Sequence, residues 1–392
     1  MFYFVNNLCF TIHNALIIIL IFVNFKKYSM QLNSLSILNY KNILSADLNF
    51  SPKINCFIGD NGMGKTNILD AVYYLSFCKS HSSSVDSQNI NHDMEFFMIK
   101  GKYTVNENAE EIICSMKRRQ KKQFKRNKKE YERLSDHIGL LPLVLITPDD
   151  SSLISEGSDE RRKFMDGVIS QYNHTYLEYL INYNNALQQR NALLKQMNPD
   201  FSLFEIWEEK MSFYGSYIFE LRKEFVNEFI PIFNEYYQKI SQGVEHTSLS
   251  YQSGLEKENL FDSLAKSREK DMILGFTTRG IHRDELDFML EDFPVKKVGS
   301  QGQIKTCLVS LKLAQFNFLK RIHNLSPILL LDDIFDKLDS KRVKQIVQLV
   351  SCENFGQIFI SDTNREHLDQ LLIQIDQTAT IFTVINGQVS EL

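Results

Sequence analysis

Apolar and polar positions alternate from Met30 through "MQLNSLSILNYKNILSADLNF", the period of an opening pair of half-buried strands. The alternation resumes at Ile54, Cys56 and Ile58, with Asn55 and Phe57 between them, and predicts a buried strand. After a glycine-rich stretch, Ile68, Leu69, Val72 and Leu75 recur at helical spacing. Residues 30 to about 150 thus read as strands around one helix, ending in the apolar strand "LPLVLITP". From Ser158 to Gln242 the period becomes that of long amphipathic helices. Leu177, Leu180, Ile181, Asn184 and Leu187 mark one face, and only Pro199 and Pro231 interrupt. After Leu274 the α/β pattern returns. The expected division is a lobe over 30–155, a helical lobe over 156–270 and a closing lobe over 271–392.

The first 29 residues read differently. The apolar run Ala15 to Val23 is too short to span a membrane, no Lys or Arg precedes it, and Lys26 and Lys27 follow it. Met30 is therefore the expected start, with residues 1–29 an upstream extension. A length of 392 residues suggests two or three lobes, and a net charge of −4 makes any contact with a polyanion local. The six cysteines form no C-x-x-C pair, which argues against zinc and a disulfide framework and for a reducing cytoplasm.

The glycine-rich stretch is "IGDNGMGKTN". Gly59-x4-Gly64-Lys65-Thr66 has the spacing of a phosphate-cradling loop, and strand before and helix after supply its context. Gly59, Asp60, Asn61, Gly62, Met63, Gly64, Lys65, Thr66 and Asn67 are the expected nucleotide contacts. Lys65 would reach the β- and γ-phosphates, and the Thr66 hydroxyl would ligate Mg²⁺. In "SPILLLDDIFDKLD", Ile328 to Leu331 form an apolar strand that delivers Asp332 at its carboxyl end, the form of a Walker B element. Asp332 is expected on Mg²⁺ opposite Thr66, with Asp333 orienting or deprotonating the attacking water. Asp336-Lys337-Leu338-Asp339 lacks the Asn of a guanine-reading motif, so a GTPase is disfavoured. Gly299-Ser300-Gln301-Gly302-Gln303 precedes an amphipathic helix containing Leu308, Leu311 and Phe318. Small residues at a helix N-terminus present N–H groups and a positive dipole end to an anion. Upstream of a Walker B strand, this has the form of an ABC-type signature, with Gln301 in place of the first signature glycine.

From Met30 onward the chain resembles the RecF family, ABC-type ATPases related to SMC proteins. The resemblance rests on "LNYKNILSADLNF", "GDNGMGKTNILDAVYYLSFCKSH", "ITPDDSSLISEGSDERRKFMD", "YLEYLINYNNALQQRNALLK", "GFTTRGIHRDELDF", "GSQGQ" and "LLLDDIFDKLD", in that order. It implies an α/β fold: a P-loop ATPase head of mixed sheets, an inserted helical lobe and no long coiled coil. It also implies a DNA-binding recombination mediator working with RecR and RecO in repair, replication restart and SOS induction. The chain departs from the family pattern in three places. Ile281 stands where G-P-H-R-D-D has proline, Asp70 replaces a glutamate, and no glutamine marks the Q-loop, where Asp149 or Asp150 is the candidate. Ser361-Asp362-Thr363 takes the switch position, with Asp362 or Thr363 as γ-phosphate sensor.

Together these motifs imply that ATP bound by one copy is capped by Ser300, Gly302 and Gln303 of a second. Dimerisation would then depend on nucleotide, and slow hydrolysis, helped by Asp333 and by Asp339 across the joint, would open the clamp. DNA is the expected client. In "KRRQKKQFKRNKK", Lys117 to Lys129, nine of thirteen residues are basic, with Lys121, Lys122, Lys125 and Arg126 the candidate phosphate contacts. A solvated hairpin is the competing reading of that run. Arg161, Arg162 and Arg190 are expected on DNA or in interlobe ion pairs, and His282 as a hydrogen-bonded structural residue. The rival classes, a transporter ATPase subunit and an OLD-type nuclease head, would need membrane partners or a larger domain after Walker B.

Overall fold

The computed structural model describes residues 29–243, 245–334, 345–346, 348–349, 355–363 and 379–392. In chain order its strands are β1 (Met30–Tyr40), β2 (Ile43–Asn49), β3 (Ile54–Ile58), β4 (Phe96–Val105), β5 (Asn108–Lys117), β6 (Gln123–Arg126), β7 (Lys129–Glu130), β8 (Leu143–Ile146), β9 (Thr247–Gln252), β10 (Glu285–Leu290), β11 (Phe293–Pro294), β12 (Ile328–Asp332), β13 (Ile358–Asp362), β14 (Ala379–Ile385) and β15 (Gln388–Glu391). The main helices are α1 (Lys65–Phe77), α2 (Ser158–Ile169), α3 (His174–Leu194), α4 (Phe201–Ser241), α5 (Leu260–Leu274) and α6 (Gln301–His323).

A six-stranded sheet ordered β15-β14-β3-β13-β12-β8 forms the middle layer. Its neighbours from β14 to β8 pair in parallel, and only β15 runs antiparallel. Such a sheet must be covered on both faces. Alternate residues of the same strands accordingly enter two cores. Cys56, Ile146, Leu329, Leu331 and Ile360 face α2, α4 and α6, whereas Phe57, Leu145, Leu330 and Phe359 face α1 and the antiparallel sheet β2-β1-β4-β5-β6-β7. Residues far apart in sequence thus share one platform: β3 and β8 lie in the sheet built by β12 to β15.

Between β8 and β12 the chain makes α2 to α5, a helical lobe. A small sheet, β11-β10-β9, pairs residues 247–252 with 285–290 and so crosses the boundary at residue 270 read from the sequence. The 41-residue α4 packs along α3 and α6, and the described residues contain no long coiled coil. The face of α3 differs from the one read in the sequence. Tyr176, Tyr183, Ala186, Arg190 and Leu193 are buried, while Ile181 is 45% exposed and Asn184 lies at the surface. Leu180 and Leu187 of the expected face do pack on the core, but at its edge, because the tyrosines and Arg190 take its centre with their polar ends paired. No helix among the described residues is long and apolar enough to cross a membrane, and the apolar run at 15–23 lies outside them.

Candidate nucleotide-binding site

The turn from β3 into α1 needs its glycines. Gly62 and Gly64 take positive φ, 80° and 116°. At Gly59 a Cβ would lie 2.3 Å from the Val384 carbonyl oxygen of β14. Lys65 is 3% exposed, and its Nζ donates to the carbonyls of Gly59 at 2.8 Å and Asp60 at 3.1 Å. No carboxylate pairs with it among the described residues. A buried ammonium with only neutral partners, inside a turn of positive-φ glycines, is suited to an anion.

Two hairpins brace the loop from outside. Asn42, in the turn between β1 and β2, donates from Nδ2 to the Gly62 carbonyl at 3.3 Å and accepts from Asn67 Nδ2 at 2.7 Å. Gly387, between β14 and β15, donates its N–H to the Met63 carbonyl at 2.9 Å. Thr66 opens α1 exposed, and its Oγ1 donates to Asp332 Oδ1 at 3.1 Å. β13 lies between β3 and β12, so Ser361 can donate to the same carboxylate oxygen at 2.5 Å. Asp332 is 5% exposed. Burial pushes its carboxyl above the usual range, against the pull of Ser361, Thr66 and the Lys65 charge. A hydroxyl and a carboxylate at strand ends suit a Mg²⁺ ion, whose charge would favour the ionised form. At Asp333 the backbone turns to φ 45°, and its N–H meets Ser361 Oγ at 3.2 Å. Asp339 lies outside the described residues. In the switch segment Asp362 is buried and Thr363 exposed.

Asp70, the shortened residue of α1, is a hub that sequence reading missed. Its carboxylate accepts from Tyr40 and Ser80 hydroxyls and the His81 N–H, each at 2.7 Å, and pairs with Lys41. The available signal was its position among the buried residues of α1. Asp150 is likewise committed: Thr147 N–H donates to it at 2.8 Å and Lys312 pairs with it at 2.9 Å, both buried. Of the two Q-loop candidates, Asp149 is the one left on the surface.

The signature turn stands apart from these groups. Exposed Ser300 caps α6, accepting from Gln303 N–H at 3.2 Å while Gln303 Oε1 accepts from Ser300 N–H at 2.7 Å. Gln303 Nε2 reaches Glu245 at 2.8 Å, and Gly302 is half-buried. Among the described residues none of these contacts joins the phosphate loop.

The basic run folds into β5, β6 and their turns, and its charges divide. Lys122 pairs with Asp86 at 2.7 Å and also donates to the Cys78 carbonyl, and Arg126 pairs with Glu110 at 2.6 Å. Lys121 is exposed and Lys125 half-buried, with no ion pair among the described residues. Arg161 and Arg162 bridge α2 to Glu285 and to the Asp284 carbonyl, and Arg190 is buried against Glu208 and Asp271. His282 bonds Tyr183 through Nδ1 at 2.9 Å and the Thr277 carbonyl through Nε2 at 3.1 Å, and burial holds its pKa down to about 4. Because a carbonyl only accepts, Nε2 carries the proton. Ile281 holds the turn where the family has proline: it is buried, and Gly280 beside it takes φ 123°. Arg222, also missed, links Asp166 and Asp284 from within α4.

The family model described as RecF/RecN/SMC N terminal domain matches residues 31–390. A DNA replication and repair protein RecF from Bacteroides fragilis is 58% identical over 365 residues, 93% of this chain and 99% of that protein. Its counterpart in Flavobacterium johnsoniae is 50% identical over 359 residues, 91% and 100% of the two. A solved structure described as the recombination mediator protein RecF-ATP in RecFOR pathway superposes with a TM-score of 0.85 at 28% identity, covering 94% of this chain and 99% of its own. An SMC head domain from Pyrococcus furiosus shares the fold, with a TM-score of 0.55 at 18% identity over 93% and 96% of the two chains. With a phosphate loop, a Walker B carboxylate and an inserted helical lobe on one ABC-type head, the chain belongs to the RecF family of SMC-like ATPases.

Proposed function

We propose that this chain is an ATP-switched, DNA-binding recombination mediator acting at single-stranded or gapped DNA. In this reading residues 30–155 and 271–392 form the ATPase head and 156–270 the helical lobe. The loop from Gly59 to Asn67 holds the phosphates of ATP, with Lys65 transferring its hydrogen bonds from loop carbonyls to the anion. Thr66 and Asp332 hold Mg²⁺, which when bound neutralises phosphate charge and orients its oxygens. Asp333 positions the attacking water and takes its proton, with Asp339 contributing across the joint.

One observation carries the reading. The chain assembles Lys65, Thr66, Asp332 and Ser361 by its own hydrogen bonds, while Ser300 and Gln303 cap each other on exposed surface away from that set. Half of an ABC-type site is thus offered outward, for the nucleotide of a second copy. Lys121 and Lys125, without an ion pair among the described residues, supply phosphate contacts on DNA. The ATPase is weak and stimulated by DNA. RecR and RecO are the partners, the compartment is the cytoplasm, and the output is repair, replication restart and SOS induction.

Sedimentation velocity tests the shared site. The parent is expected to dimerise only with ATP, whereas Ser300→Arg should bind ATP with parental affinity and remain monomeric. Dimers of Ser300→Arg would overturn the proposal.

A further inference from the structure

A cavity of about 520 Å³ lies between the ATPase head and the helical lobe, within the size range of ligand sites. Two helices that begin at the nucleotide machinery form its walls. α1, which opens at the phosphate loop, contributes Tyr73 and Phe77, and α6, which opens at the signature, contributes Lys312 and Gln315. Lys79 and the serines of the following loop line the rim.

Its chemistry is selective. The Tyr73 and Phe77 rings stack with centroids 4.5 Å apart and planes 19° from parallel, and the His81 ring meets Tyr73 at 5.2 Å and 77°, so three rings cluster on one side of the cavity. The Gln315 side chain is 8% exposed, lines the cavity and makes no hydrogen bond among the described residues. Its amide is therefore open to whatever enters the cavity. It offers one donor and one acceptor side by side, the pattern that a base edge matches. Lining charges are otherwise cancelled, Lys312 by Asp150 and Lys163 by Glu160, which leaves exposed Lys79 as the net charge and makes the rim positive. That rim adjoins the basic hairpin, because Lys122 donates to the Cys78 carbonyl at 2.6 Å and to Asp86 at 2.7 Å.

We propose that this cavity receives one unpaired base of a DNA strand, stacked on Tyr73 and bonded by Gln315, with Lys79 at its phosphate. The proposal rests on the DNA-binding reading above and deepens it. A paired base would have to leave its stack, while an unpaired one enters at little cost, so the cavity selects gaps. Because α1 and α6 begin at the phosphate loop and the signature, a base between them biases how those two elements stand for ATP.

The test uses the full chain with ATP and two duplexes of equal length, one continuous and one gapped with 2-aminopurine as the first unpaired base. Emission from 2-aminopurine should fall as the base stacks. Gln315→Leu and Tyr73→Ala should lower the preference for gapped over continuous duplex by about tenfold, and keep ATP-induced dimerisation. Lys79→Ala, an exposed change, should lower the same preference without altering the melting temperature. Unchanged emission with an unchanged preference in all three variants would overturn the cavity's role while the DNA-binding reading stands. A parent that binds neither duplex would overturn both. Variants that keep the preference but lose capture of RecR would assign the cavity to a protein and overturn the base.

Discussion

Lys65 and Arg222 are both buried cations, 3% and 1% exposed, and their surroundings differ in kind. Arg222 meets Asp166 at 2.8 Å, Asp284 at 2.9 Å, the Ile281 carbonyl at 2.8 Å and the Tyr176 hydroxyl at 3.1 Å. Lys65 meets two carbonyls and no carboxylate. Burial of a charge is tolerable when ions of opposite sign surround it, as at Arg222. Where the hydrogen bonds go only to carbonyls, as at Lys65, with Asp332 near but not bonded to it, room is left for a ligand's anion. The first arrangement fastens α4 to α2 and to the turn before β10, and the second leaves a cation available to a ligand.

Four changes test this contrast. Arg222→Leu should have the largest effect, since it strands buried Asp284 and half-buried Asp166. We expect a loss of about 3–5 kcal/mol in chemical denaturation, and a loss under 1 kcal/mol would deny Arg222 its fastening role. Lys65→Met should leave denaturation midpoints near the parent's. Its ATP affinity, measured by calorimetry, should fall about 10- to 100-fold. Parental affinity would show that the uncompensated ammonium is not the anion's partner.

His282 belongs to the fastened region and gives a pH signature. Its folded pKa is depressed from 6.5 to about 4, so the unfolded chain binds its proton first. Stability is therefore fully present above about 6.5 and is lost as pH falls toward 4, by about 3 kcal/mol for one such histidine. His137 is held down to about 4 in the same way and stays in place, so His282→Gln should shallow the acid slope without removing it. A slope identical to the parent's would mean that His282 is not held neutral. The smallest effect is expected at Asn42. Asn42→Ala removes a brace of the loop and should weaken ATP binding by about fivefold, about 1 kcal/mol, with little change in overall stability.

The same contrast explains what could be read from the chain. The phosphate loop, the Walker B strand and the signature were legible because each is a short run whose chemistry depends on neighbours in sequence. Gly62 and Gly64 declare a turn wherever they stand, and an apolar run ending in Asp332 declares a strand delivering a carboxylate. Arg222, Asp70 and Arg190 gave no such signal, since their partners lie in other elements. Composition likewise overstated the basic run: Lys122 and Arg126 look like Lys121 and Lys125 in sequence, yet Asp86 and Glu110 neutralise the first pair. On α3, marking the face by aliphatic residues and Asn184 alone placed it to one side of the buried one.

The brace supplied by the β14–β15 hairpin has a consequence for biosynthesis. Asn386 N–H meets Met63 Sδ across 323 positions of sequence, and Gly59 fits only against Val384. A ribosome delivers the phosphate loop more than three hundred residues before this hairpin, so a nascent chain carries the glycine-rich turn long before the strand and hairpin that brace it exist.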